Sequence, residues 1–165
     1  MTTRSCSRGS RRRSFGALIM VAGVLALVGC GITVPADPDG TLDSVRGGEL
    51  RVGVSADSGL VETHGNGASG SLAELAMEYA ASLHAKVRWT AGSEETLVMY
   101  LEERKLDLVI GGITDQTPWL DHVGVTRGYA GIEGADGRGI VMLVPPGENA
   151  FLSDLERFLD AEVGS

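Results

Sequence analysis

The feature that most limits how this chain can fold is the alternation of short apolar runs and helical periodicity between Leu50 and Ile110. Leu50-Arg51-Val52-Gly53-Val54 is a brief run of strand formers, and a loop rich in Gly, Ser and Asp follows it from Ser55 to Gly70. From Ser71, apolar residues at Leu72, Leu75, Ala76, Tyr79, Ala80 and Leu83 recur at helical spacing, which predicts a helix to about Ala85. Ser71 and Glu74 spell a capping box at its start. Val87 to Thr90 predicts a second strand. Ser93 predicts the cap of a second helix with Leu97, Tyr100, Leu101 and the stem of Arg104 on its inner face. Leu106 to Ile110 is apolar except for Asp107 and is stopped by Gly111-Gly112, the pattern of a strand buried on both faces. Strands that alternate with helices imply right-handed crossovers and a parallel sheet.

The pattern continues beyond Gly112. Thr117-Pro118 places a cap before a proline at the first helical position. Ile140 to Val144 is a further apolar run, closed by Pro145-Pro146-Gly147. Asn149 is placed to cap a last helix whose stripe is Phe151, Leu152, Leu155, Phe158 and Leu159. The expectation is a three-layer α/β/α domain with a mostly parallel sheet over residues 49–165. With 165 residues in all, the chain is long enough for one such domain and too short for two.

The first thirty residues read as an address. Residues 1–14 are polar and basic, and Phe15 to Gly29 is uncharged and mostly apolar, as in an export signal. The apolar run ends in Leu27-Val28-Gly29-Cys30, which resembles the bacterial lipobox, so residues 1–30 are expected as a lipoprotein signal peptide with Cys30 lipidated. Lipid chains on that cysteine would hold the domain at a bilayer without a spanning helix. An uncleaved N-terminal helix is the alternative, since Phe15 to Ala36 carries no charge over 22 residues. Either way the arginine cluster stays inside and the domain is expected outside the cytoplasmic membrane. Arg12-Arg13-Ser14-Phe15 also resembles a twin-arginine signal, leaving two export routes open. Residues 31–48, with two Pro and four Gly and no periodicity, are expected as a flexible tether.

Charge excludes one class of partner. Five of the 14 Lys and Arg precede Cys30, whereas all 22 Asp and Glu follow it, so the body carries a net charge of −13. A surface that acidic repels phosphate backbones, which argues against nucleic acid. Two cysteines, Cys6 and Cys30, provide neither a disulfide framework nor a Cys-based zinc site.

With the β-α-β-α-β frame and the segment Leu106-Asp107-Leu108-Val109-Ile110-Gly111-Gly112-Ile113-Thr114 in place, the sequence resembles the extracellular solute-binding proteins of bacterial ABC importers, polar-amino-acid type (family 3). In that family the second helix runs into such a phrase, here from Arg104-Lys105 to Thr114, and a turn leads on to a motif matched here by Thr126-Arg127-Gly128-Tyr129. The resemblance covers roughly residues 49–129 and implies one lobe of a type II periplasmic binding protein. Two departures stand out. The family builds a second lobe after the Tyr129 position, whereas only Ala130 to Gly139 intervene here, implying half of a two-lobed clamp. The family also usually has an arginine, which pairs the solute's carboxylate, where this chain has Thr117.

In open parallel sheets ligands bind beyond the carboxyl ends of the strands. That rule selects Ser55, Asp57 and Ser58 after the first strand and Gly112, Thr114, Asp115 and Thr117 after the third, with Asp57 or Asp115 pairing an amine. Turn-forming and capping duties are the competing reading of the same residues. Gly65-Asn66-Gly67-Ala68-Ser69-Gly70 spells G-x-G-x-x-G, but ten residues separate it from the strand and the second strand ends in Trp89-Thr90 without an acid, so no dinucleotide cofactor is expected. His64, His84 and His122 lie far apart and suggest no metal. With no G-x-S-x-G elbow, catalysis is not expected. Trp119 is read as core, and Asp154, Glu156 and Asp160 as a solvated helix face. The resulting expectation is a membrane-tethered binder of a small polar, amino-acid-like solute, partnered by an ABC permease or another membrane complex. The alternative is a degenerate, non-binding lipoprotein that acts as a protein-interaction module on the outer face of the membrane.

Overall fold

The structure, a computed structural model, describes residues 37–164 together with Thr2. The expected export signal, Cys30 and the first part of the tether lie outside the described residues. Among the described residues no helix is long and apolar enough to cross a membrane.

The elements run α1 (Thr41–Val45), β1 (Glu49–Val54), β2 (Glu62–His64), β3 (Gly67–Ser69), α2 (Ser71–Ser82), β4 (Lys86–Ala91), α3 (Glu94–Glu102), β5 (Leu108–Ile110), a 3₁₀ turn (Pro118–Asp121), β6 (Gly124–Val125), β7 (Leu143–Val144) and α4 (Asn149–Glu162). The main sheet has the order β4-β1-β5-β7-β6. β1 pairs in parallel with β4 and with β5, Val52 lying between Trp89 and Leu108, while β7 is antiparallel to both its neighbours. The sheet is therefore mixed and mostly parallel, as expected.

Side-chain alternation along the strands separates two apolar layers. Leu50, Val52, Val54, Leu108 and Ile110 face Leu72, Ala76 and Tyr79 of α2 and Phe151, Leu155 and Leu159 of α4. Val109 and Leu143 face the other way, onto Leu97, Val98 and Leu101 of α3. Gly53 lies under α3, where a Cβ would stand 2.7 Å from Leu106 and 2.9 Å from both Leu97 and Val109. Three layers result.

Several local expectations need correction. Part of the expected tether is folded: α1 buries Thr41, Leu42 and Val45. Its stability is not local, because Asp37 accepts from Leu42 N at 2.7 Å and from Phe151 N at 3.3 Å, so one carboxylate caps two helices. Asn149 is not the cap of α4; Glu148 holds that position without a side-chain capping bond. Its buried carboxylate instead accepts from Asp39 N at 3.1 Å and Thr41 N at 3.0 Å. The capping box at α2 also fails to form, since Gly70 is the N-cap and the Ser71 hydroxyl donates to Glu133 O at 2.6 Å. By contrast, Ser93 caps α3 by accepting from Thr96 N, and Thr117 caps the 3₁₀ turn by accepting from Trp119 N.

The segment read as a loop contains a hairpin, β2 on β3, with His64 opposite Gly67. Gly65 takes φ +57° in the two-residue turn, the geometry that such hairpins require at that place. Gly70 has φ +104°, and a Cβ there would meet Leu60 O at 2.5 Å. The G-x-G-x-x-G string thus makes a hairpin and a close approach to backbone.

Candidate functional site

The loops after β1 and β5 leave in opposite directions. The first leads to the hairpin and α2 on one face, and the second to the 3₁₀ turn, whose Trp119 packs on the α3 side. With β4, β1 and β5 in that spatial order, the divergence opens a crevice at the carboxyl ends of β1 and β5, the usual ligand position in doubly wound sheets.

Ser55 joins the two strand ends, its N–H donating to Ile110 O at 3.0 Å. Gly111 fits against it, since a Cβ there would stand 2.8 Å from Ser55 O. Asp57 closes a turn: its N–H donates to Val61 O at 2.9 Å and its carbonyl accepts from Leu60 N and Val61 N. Its carboxylate lies over Gly112, where any Cβ would overlap it. Ser58 sits exposed at the tip of that turn. Thr114 bridges to Ile140, and Asp115 is exposed with its N–H donating to Gly139 O at 3.3 Å. Thr117 is buried, and its hydroxyl oxygen serves the Trp119 cap. Ser55, Asp57, Gly112, Thr114 and Asp115 are thus gathered at one end of the sheet, while Ser58 stands at a loop tip and Thr117 within a cap.

Sequence reasoning missed Arg138. It arrives from the short connection between β6 and β7, and its guanidinium Nη2 stands 3.6 Å from Asp57 Oδ1. Its Nε donates to Ala135 O at 3.1 Å and its Nη2 to Gly134 O at 3.5 Å. Only the folded path of that connection brings it here; no local spacing announces it.

The other singled-out residues have structural partners elsewhere. Trp119 is half-buried against the α3 cluster, with its indole N–H donating to Glu94 at 3.3 Å. His64 bonds Ser69 across the hairpin, His122 bonds Glu102, and His84 has φ +58° just beyond α2. Asp154, Glu156 and Asp160 are not a bare solvated face. Asp154 accepts from the Tyr79 hydroxyl at 3.2 Å, Glu156 from Arg127 N at 2.8 Å, and Asp160 from Arg127 Nη2 at 2.8 Å and the Tyr129 hydroxyl at 3.1 Å. These contacts fix the chain around Tyr129 to α4. Burial, reinforced by the hydrogen bond to Asp160, pushes the Tyr129 phenol up to about 12, and the Arg127 guanidinium holds the Asp160 carboxyl below the usual range.

Three surface concavities lie away from the crevice. One of about 220 Å³ is lined by Glu74, Glu78, Glu133 and Glu162, one of about 340 Å³ by Asp154, Arg157 and Phe158, and another of about 340 Å³ by Met99, Glu102, Trp119 and His122. None of the three is lined by Ser55, Asp57, Gly112, Thr114 or Asp115. The exposed large apolar side chains among the described residues, Met77, Met99 and Leu120, lie on α2, α3 and the 3₁₀ turn of the connection after β5.

Comparison with known proteins gives the same architecture. The chain is similar to domain 1 of ArgBP from T. maritima in its arginine-bound form, with 25% identity and a TM-score of 0.61, covering 72% of this chain and 97% of that one. A point variant of that domain, also arginine-bound, matches with 24% identity and a TM-score of 0.62, covering 73% and 96%. An ancestral cationic amino acid solute-binding protein has 30% identity and a TM-score of 0.47 over 54% of this chain and 40% of its own. No protein-family model matches this chain, and no curated protein matches it.

Proposed function

We propose that this chain, which has the fold of a single lobe of the amino-acid solute-binding proteins, binds a small polar, amino-acid-like solute outside the cytoplasmic membrane on behalf of an ABC importer. The observation that carries the reading is the state of the crevice. Among the described residues the Asp57 carboxylate accepts no hydrogen bond, although it lies beside Gly112 and faces Arg138 at the point where the loops diverge. A carboxylate that accepts no hydrogen bond beside a switch point is what a charged solute would satisfy. Support also comes from ArgBP domain 1, a lobe of the same fold with arginine bound to it. The role is binding rather than catalysis.

Half a cleft covers less of a ligand and does not close over it to exclude water. The affinity is therefore expected to be modest unless a permease or a second copy supplies the opposite wall. Attachment through a lipidated Cys30 would keep the lobe near such a partner and raise its effective concentration.

Thermal unfolding of the full-length protein in mild detergent, against amino acids, polyamines, sugars and oxyanions, tests the reading. A ligand that binds only the folded state raises the melting temperature saturably. A shift with an amino acid supports the proposal; a folded protein that shifts with nothing overturns it. Mass spectrometry of the membrane-extracted protein should find two or three acyl chains on Cys30. A Cys30→Ala variant still retained in the membrane would instead favour an uncleaved helix.

A further inference from the structure

The connection 130–139 is too short to be a lobe, yet it is closely built. Ala135 is fully buried, its N–H donates to Ile132 O at 3.0 Å, and Arg138 N donates to Ala135 O at 2.9 Å. Gly134 packs so closely on Gly59 O that a Cβ would overlap it, which seats the connection on the turn that carries Asp57. Asp136 and Gly137 take φ +52° and +78°, turning the chain back so that Arg138 points to the crevice.

There Arg138 and Asp57 form an incomplete pair. At 3.6 Å the two are close enough to attract and too far apart for a hydrogen bond. Arg138 is oriented by its own loop through Nε and Nη2, which leaves Nη1 without a hydrogen-bond partner among the described residues. One edge of a planar cation and a carboxylate that no hydrogen bond engages, side by side, complement a ligand that carries a carboxylate and an ammonium on neighbouring atoms.

Resting on the solute-binding reading, we infer that Arg138 pairs the carboxylate of the solute while Asp57 takes its ammonium group, so that this lone lobe selects α-amino acids over the corresponding amines. The recognition is supplied by the connection itself. The competing arrangement, in which Arg138 plugs the crevice by occupying Asp57, is disfavoured because no hydrogen bond joins the two and the guanidinium is held from behind by carbonyls.

The test is calorimetric titration of the full-length protein in mild detergent with L-amino acids and, for each, its decarboxylated amine. The wild type should bind at least one amino acid about tenfold or more tighter than its amine, since a hydrogen-bonded charge pair distinguishes the two. Arg138→Gln retains a side-chain donor for Ala135 O but lacks the charge and the fork. It should lose about 10- to 100-fold for the amino acid, leave the amine unchanged and melt within ~2 °C of the wild type. Asp57→Asn should weaken amino acid and amine alike. An undiminished preference in Arg138→Gln overturns the inference, and tighter binding by that variant establishes the plug instead. A wild type that binds amino acids and their amines equally well leaves solute binding standing and defeats the role of Arg138. A wild type that binds nothing defeats both.

Discussion

The two ends of the sheet use the same residue types in opposite ways. At the amino end, Asp107 is buried and accepts from Arg51 Nη2 at 2.5 Å and from both Arg51 Nε and its backbone N–H at 2.9 Å. Arg104 there donates to Pro146 O at 2.8 Å and approaches Asp39 at 2.6 Å and Glu148 at 3.6 Å. At the carboxyl end, Asp57 and Arg138 stand apart at 3.6 Å, and Asp115 is exposed. The hydrogen-bonded pair Arg51–Asp107 ties β1 to the start of β5, and the Glu148 carboxylate ties α4 to the segment from Asp37 by accepting from Asp39 N and Thr41 N. Charge pairs left open fasten little and remain available to a third party. What separates Arg51–Asp107 from Asp57–Arg138 is the hydrogen bonding of the pair rather than its residue types.

The largest expected effect comes from breaking the closed end. Asp107→Ala strips a buried acceptor from Arg51 and should cost about 3 kcal/mol, a fall on the order of 10 °C in melting temperature. Asp57→Ala and Asp115→Ala, which remove charges without hydrogen-bonded partners, should each stay within about 0.5 kcal/mol of the wild type. Thermal melting of the three variants decides the matter. Comparable losses at both ends would mean that the carboxyl-end charges are structural too.

Protonation should sharpen the contrast. Burial, offset in part by hydrogen bonds from the Leu42 and Phe151 N–H groups and reinforced by Glu148, raises Asp37 above its usual 3.8. Burial also pushes Glu148 up, but hydrogen bonds from Thr41, Asp39 and Asp37 outweigh it and hold that carboxyl below its usual 4.5. On acidification the folded state takes its proton at Asp37 before the unfolded chain does, which favours the folded state. Below about 4.5 the unfolded chain protonates its Glu148 while the folded one does not, and stability should fall as pH drops through the folded value. In a melting-temperature profile between pH 7 and pH 3 the two carboxyls should therefore act in opposite directions, Asp37 opposing the acid loss that Glu148 drives. Glu148→Gln should remove its acid limb, and an unchanged limb would assign the acid sensitivity to other carboxylates.

What was legible in the sequence follows the same division. The strand-helix alternation was readable because side-chain period and burial are local properties, and Ser93 and Thr117 cap where their spacing puts them. The segment at 41–45 was not readable, because its caps come from Asp37 and from Glu148, the latter 107 residues away from Thr41. Gly65-Asn66-Gly67 carries a hairpin signal that the surrounding G-x-G-x-x-G spacing obscures. Asp107 showed only as an interruption in an apolar run, since its partner Arg51 lies 56 residues earlier. At the site, the loops were found from the sheet rule, but Arg138 was not. Its place depends on how a connection of ten residues, mostly Gly, Ala and acidic, settles on the turn at Gly59.

Gly112→Ala should disturb stability least while separating the two ends most clearly. Gly112 does not lie in the left-handed region, so alanine fits the backbone, and the atoms a Cβ would strike belong to the movable Asp57 carboxylate. The fold can yield by rotating that side chain at a cost of about 0.5–1.5 kcal/mol or less. The crevice cannot yield in the same way, because the carboxylate then leaves its position beside Arg138 and the ammonium subsite is lost. Near-native melting with at least tenfold weaker amino-acid binding is the expected outcome, the binding loss reflecting a missing charged hydrogen bond. A variant that melts normally and binds normally would show that Asp57 acts from another position, and the open end of the sheet would then be no more specialised than any other loop.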